Sequence, residues 1–228
     1  MDAHRMEQEK ATSLSPETFT EADLEADYSD AMFRLVDHFG VTACSDLHFL
    51  ILLAMTIEER SVQWKHRTYQ SVRLGLSMNL DAGNLVDTKQ LTAAILAHDF
   101  AMAFLPLRML DKSVKLAHKD LKLMRTHIST AASLIQRMRG WKEAEEMILA
   151  HHEKIDGTGY PNKLMDSEIC DGAKILAIVD TFTAQSGKII HGVMELNRHA
   201  GTQFATNWVE HFNIVARKLY AKELSSAI

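Results

Sequence analysis

The chain alternates long stretches of helix-spaced apolar positions with short polar breaks. From Glu21, the residues Leu24, Tyr28, Met32, Leu35, Val36 and Phe39 recur at three- and four-residue intervals until Gly40, which predicts an amphipathic helix. Ser45 is placed to cap a second helix that enters the apolar run Phe49–Met55. After Glu58-Glu59-Arg60 the period resumes through Trp64, His66, Val72 and Leu76 to about Leu80. Thr88 is placed to cap TKQLTAAILAHDF, which is apolar around most of its circumference and belongs in a core. Further helices are predicted over 118–139, ended by Gly140, over WKEAEEMILAHH, over 171–186 and over 190–200. A cap at Thr202 would open a last helix holding Trp208, Phe212 and Leu219. No segment of useful length carries the two-residue period of a strand, so the expected class is all-α.

Composition narrows the function classes. Hydrophobic residues make up 46% and charged residues 24% of the 228, the balance of a globular protein, and only three prolines interrupt it. The net charge of −5 is uneven: residues 1–30 carry nine acidic side chains against Arg5 and Lys10, and the rest of the chain is slightly basic. A near-neutral body without a basic stripe argues against a nucleic-acid polymer as partner. Cys44 and Cys170 are far apart, which argues against a disulfide framework or thiolate zinc site and fits a reducing cytoplasm. The first residues lack the apolar core of a signal peptide, and Phe49–Met55 is too short to span a bilayer. The expectation is a cytoplasmic protein with no membrane segment, and no sequence feature fixes its oligomeric state. Residues 1–18 read as a flexible lead, 19–59 as an N-terminal helical extension and 60–228 as the main domain.

Chemistry concentrates where histidines meet carboxylates. His98-Asp99 ends the apolar helix that starts near Thr88. Sequence neighbours point about 100° apart on a helix, so both converge only if the helix breaks there, and Ala101 to Pro106 supplies a break. His151-His152 repeats the arrangement before Asp156-Gly157. Asp180 lies within AKILAIVDTF, where a carboxylate is costly unless paired or metal-bound. His66 and His127 fall on helices of mixed character. Singly, each has an ordinary reading as a packed or hydrogen-bonded helix residue. The other seven histidines show no such pairing.

The order H…HD…H…HH…D, with HHEKIDGTGYP at 151–161, resembles the HD-GYP family, a branch of the HD-domain metal-dependent phosphohydrolases. That segment matches HHExxDGxGYP at every fixed position; AILAHDF resembles the family's HD helix, AKILAIVD its carboxylate helix, and HAGTQF its C-terminal segment. The resemblance covers roughly residues 60–215 and implies an HD-domain helical bundle with two adjacent divalent ions. His66, His98, Asp99 and Asp180 would hold one; Asp99, His127, His151 and His152 would hold the other, with Asp99 bridging. Iron or manganese suits an imidazole and carboxylate set, with magnesium, zinc, nickel or cobalt as alternatives. Hydroxide held between the ions beside His98 and Asp99 would attack a phosphodiester, with cyclic di-GMP as the implied substrate. Gly159, Tyr160 and Pro161 would contact substrate, with Lys188 as a weaker candidate.

Departures from the family pattern bear on turnover. Where HDxGK has a lysine, this chain has Met102, which neither donates a hydrogen bond nor carries charge. Loss of one such contact costs about 10² to 10³ in rate. Thr183 stands where a second aspartate is expected after Asp180, and the basic RPYR-type stretch is missing, with Lys188 or His191 as partial substitutes. Lys163 and Asp166 replace two glycines of the GYP loop. Val62 replaces a carboxylate four residues before His66, which argues for two metals rather than three. The alternative expectation is therefore a catalytically weak or inactive module that binds metal and acts through protein contacts, for example with a GGDEF diguanylate cyclase.

Overall fold

The computed structural model describes residues 27–60, 64–110, 115–185 and 189–225. The expected lead at 1–18, and with it Leu24, Val62 and Lys188, lies outside the described residues. Eleven α-helices are found among the described residues: α1 (Tyr28–His38), α2 (Ser45–Glu58), α3 (Arg67–Asp81), α4 (Thr88–Ala97), α5 (Leu107–Leu110), α6 (His118–Gln136), α7 (Lys142–Ala150), α8 (Asp171–Thr183), α9 (Ile189–Arg198), α10 (Thr206–Leu219) and α11 (Ala221–Ser225). Two 3₁₀ turns, Phe100–Phe104 and Asp166–Glu168, complete them, and the extended pairing among these residues is limited to two isolated bridges. The all-α expectation holds.

Several boundaries move for local reasons. Asp87, not Thr88, caps α4, its carboxylate accepting from the Gln90 N–H at 2.8 Å. A carboxylate also matches the positive end of the helix dipole, which a threonine hydroxyl does not. Helix α10 starts at Thr206 rather than after Thr202, because Gly201 at φ +80° turns the chain and the Thr202 hydroxyl donates back to the His199 carbonyl. His66 is not within a helix: it precedes α3 with φ +59°.

At the centre, α4 is buried from Leu91 to Ala97, as its all-round apolar pattern requires. Its one buried hydroxyl, Thr92, donates to the Thr88 carbonyl and leaves no polar group unpaired. Around α4 pack α3, α7 and α2, with α8 crossing both α3 and α7. Gly75 lets α3 come close to α4, since a Cβ there would lie 2.6 Å from Ile95 Cδ1. Helices α1 and α2 add Met32, Leu35, Leu47, Leu50 and Ile51 to this same buried cluster. A smaller cluster of Ile57, Trp64, Leu105, Met109 and Leu110 supports the chain after α4.

The α3–α4 connection is tied by Asn79, fully buried, whose amide donates to the Val86 carbonyl at 2.8 Å and accepts from the Val86 N–H at 3.0 Å. Asn79→Ala strands both Val86 backbone groups, at about 1–3 kcal/mol each. Urea denaturation is expected to show a loss of about 2–4 kcal/mol; a loss below about 0.5 kcal/mol would contradict that role.

Candidate metal centre

Three helices each present one histidine in the same way. In His98, His127 and His151, Nδ1 lies 2.7, 2.7 and 2.6 Å from the carbonyl oxygen three residues earlier, of Ile95, Met124 and Ile148. A carbonyl only accepts, so Nδ1 carries the proton and Nε2 the lone pair. All three Nε2 atoms are buried and without a hydrogen-bond partner. Buried polar atoms are seldom left so, and an unpartnered imidazole lone pair is what a metal ion satisfies.

The rings form one cluster. His151 lies 5.5 Å from both His98 and His127 and 4.1 Å from His152, and His127 lies 5.1 Å from His152, by ring centroids. Two groups have ligand atoms that all fall within 4.8 Å of one another: His127, His151 and His152, and His98, Asp99 and Asp180. The helix break expected after His98-Asp99 comes at once: α4 ends at Ala97, and Asp99 at φ −96°, ψ 3° leads into the 3₁₀ turn. That turn brings both side chains to one place.

Six of the seven expected ligands are therefore gathered. His66 belongs to neither group; its ring packs on Tyr28 with centroids 5.3 Å apart. In its stead Arg67 reaches the carboxylates. One amino nitrogen lies 3.0 Å from Asp99 Oδ2, the other donates to Asp180 Oδ1, and Nε lies 3.5 Å from Thr183 Oγ1. Thr183 is itself fixed to the Val179 carbonyl and the Ser71 hydroxyl. The backbone on either side of Arg67 is pinned by Glu58, whose carboxylate accepts from the N–H groups of His66 and Thr68. Sequence periodicity held the signal: Arg67 lies four residues before Ser71 and eight before Gly75, the small buried positions of α3.

Electrostatics separates the two groups. Burial first, then the neighbouring His152 and His98, hold His151 well below the usual imidazole range. Burial likewise brings His152 to about 4, so both rings are neutral near pH 7 and have lone pairs to donate. Burial alone would raise Asp99 and Asp180, but His98 and Arg67 outweigh it and hold both carboxylates below their ordinary range. His98 is raised despite burial, because Asp99 and Asp180 face it.

The 151–161 segment builds the rim. Glu153, 4% exposed, accepts from the backbone N–H groups of Asn162, Lys163 and Leu164 and so folds the loop onto itself. Asp156 holds the Thr158 N–H and hydroxyl. Gly159 passes so close to Glu153 and Lys154 that a Cβ would sit 2.3 Å from the Lys154 nitrogen. Tyr160 stacks on His152 at 5.0 Å and 17°, followed by a cis bond to Pro161, and the Arg125 guanidinium lies 4.6 Å from the Tyr160 ring centre. Arg125 escaped the sequence reading, because nothing in α6 marks an exposed arginine two residues before His127. Met102 packs with the smaller apolar cluster. Asp166 pairs with Lys174 at 2.8 Å. Lys163 keeps the left-handed backbone of a glycine position at φ +57°, a conformation costing a non-glycine residue about 1–2 kcal/mol. Lys163→Gly is expected to stabilise the protein by about 1 kcal/mol, raising Tm by about 2–4 °C; an unchanged or lower Tm would show that the loop is unstrained.

The HD domain family matches residues 52–199. A 3'3'-cGAMP-specific phosphodiesterase 2 from Vibrio cholerae is 34% identical over 93 residues, 40% of this chain and 18% of that protein. A cyclic di-GMP phosphodiesterase from Thermotoga maritima is 32% identical over 89 residues, 38% of this chain and 24% of that protein. The chain thus spans about a fifth to a quarter of these curated relatives. A solved HDG"Y"P protein from Bdellovibrio bacteriovorus shares the fold, with a TM-score of 0.58 at 17% identity over 94% of this chain and 79% of that one. The family match takes in both groups of candidate ligands, and the chain belongs to the HD domain family.

Proposed function

We propose that this chain is a metal-dependent phosphodiesterase acting on cyclic dinucleotides, with cyclic di-GMP as first candidate and 3'3'-cGAMP as second. The observation that carries the reading is the pair of buried, unpartnered Nε2 atoms of His127 and His151, each oriented through its own helix beside His152. His127, His151 and His152 would hold a divalent ion, iron or manganese before magnesium, zinc, nickel or cobalt. When bound, such an ion polarises a phosphoryl oxygen and lowers the pKa of a water molecule. The chain's own residues set the rest. Asp99 and Asp180 stay ionised at the buried edge, and neutral His151 and His152 keep their lone pairs available.

At the rim, Tyr160 joins His152 to the Arg125 guanidinium, which puts a cation where a phosphate of the substrate would enter. Gly159, Tyr160 and Pro161 would line that entrance. Lys188 remains a candidate contact on sequence alone. Residues 60–228 would carry this activity, with 19–59 as a helical extension whose described residues, from Asp27 on, share its core. The relatives named as phosphodiesterases for cyclic di-GMP or 3'3'-cGAMP support the substrate class. A second reading is favoured by Met102, which puts no charge beside the centre: a metal-holding module that works through protein contacts, for instance with a GGDEF diguanylate cyclase.

Chromatography of products after incubation of metal-replete protein with each dinucleotide separates the readings. Linear dinucleotide or mononucleotide supports the enzyme; a fully loaded protein that hydrolyses neither substrate supports the module. His151→Ala is expected to lower metal content and reduce hydrolysis by at least about 10²-fold with the helical circular dichroism intact. Arg125→Ala is expected to raise KM about tenfold with little change in kcat, and an unchanged KM would remove Arg125 from the substrate path.

A further inference from the structure

The resemblance implies two metal ions, yet the two ligand groups are not equivalent in this chain. His127, His151 and His152 face one another with no cationic side chain among them, and two of them have an unpartnered Nε2. In the other group the carboxylates already have a cation. Arg67 is 14% exposed at its side chain and binds Asp99 Oδ2 and Asp180 Oδ1. Those same two oxygens face His98 Nε2, at 3.4 and 3.7 Å. An ion ligated through these oxygens would have to share them with the guanidinium.

Arg67 is also poorly placed to leave. Glu58 fixes the backbone before and after it, Thr183 stands beside Nε, and the Trp64 ring centre lies 5.8 Å from its guanidinium carbon. A guanidinium does not lose its proton in a protein, so this positive charge is permanent. Like charges a few ångströms apart in a poorly solvated pocket repel strongly. With Arg67 in place and one divalent ion, the two carboxylates leave the buried centre with a small positive charge. A second divalent ion would raise it far beyond what two carboxylates offset.

We propose that the centre is mononuclear: the Arg67 guanidinium permanently fills the place of one of the two cations, and a single ion binds on His127, His151 and His152. This rests on the metal-site reading above but not on the identity of the substrate. His98, Asp99 and Asp180 then position the arginine and the edge of the site rather than ligating a second ion.

Manganese(II) loading of the whole chain under argon, removal of unbound ion and mass-spectrometric metal analysis test this directly. The wild type is expected to hold one equivalent, with the uncoupled six-line paramagnetic resonance spectrum of isolated manganese. His98→Ala is expected to keep that equivalent and His127→Ala to lose it. Arg67→His and Arg67→Ala are expected to admit a second equivalent, and Arg67→His to give an exchange-coupled spectrum. Two equivalents or a coupled spectrum in the wild type would overturn the mononuclear centre while leaving the metal site and any hydrolysis standing. No bound manganese in the wild type would overturn both. If the Arg67 variants fail to fold, the wild-type stoichiometry and the contrast between His98→Ala and His127→Ala still decide.

Discussion

The structure turns on a short hydrogen bond made three times. A histidine on a helix can direct Nδ1 back to the carbonyl three residues earlier, and His98, His127 and His151 all do so. That bond fixes the tautomer and the ring, and aims Nε2 away from the parent helix. Burying such nitrogens without hydrogen-bond partners is costly and uncommon. The helices α4, α6 and α7 must meet closely for these rings to cluster, and the core is arranged to bring them together: α7 packs on both α4 and α6, and α8 crosses to deliver Asp180. The apolar face of each helix and its one functional side chain are parts of a single placement.

The carboxylates follow a different rule. Asp99 and Asp180 are buried charges, and buried charges survive only with compensation. Arg67 provides it from the first residue of α3, and Glu58 holds that residue by its flanking amides rather than by its side chain. Charge balance in the pocket is therefore settled by protein groups before any ion arrives. This divides the centre into a half of neutral imidazoles and a half whose two carboxylates are partly compensated by Arg67.

Much of this was legible in the sequence, and the failures have physical causes. Helical periodicity located the core helix α4, and the His98-Asp99 and His151-His152 pairs marked four of the six side chains that gather. Asp180 stood out in its apolar run, and His127 followed from the family resemblance. His66 does not continue a helical period at that point: a left-handed residue precedes α3, and the helix opens on Arg67. A positive φ is uncommon for any non-glycine residue, and although histidine tolerates it better than most, nothing in the local sequence marks position 66 for it. The caps at Thr88 and Thr202 failed for smaller reasons, a better acceptor one residue earlier at Asp87 and a turn at Gly201. Arg125 could not be read at all, because its significance is the ring of Tyr160, thirty-five positions away.

The rim shows how a motif is spent on shape as much as on chemistry. Within HHEKIDGTGYP, Glu153 is consumed in tying down three backbone amides, Asp156 in holding Thr158, and Gly159 in allowing the loop to touch its own start. What remains for a ligand is the Tyr160 ring, locked against His152 on the metal side and associated with Arg125 on the solvent side. A cation delivered by stacking from α6 differs from a lysine delivered by the turn after α4. It is shared with the aromatic ring of the rim loop. With Met102 turned into apolar packing, the arginines that the described residues place at this centre are Arg67 within, on the carboxylates, and Arg125 at the rim, on the Tyr160 ring.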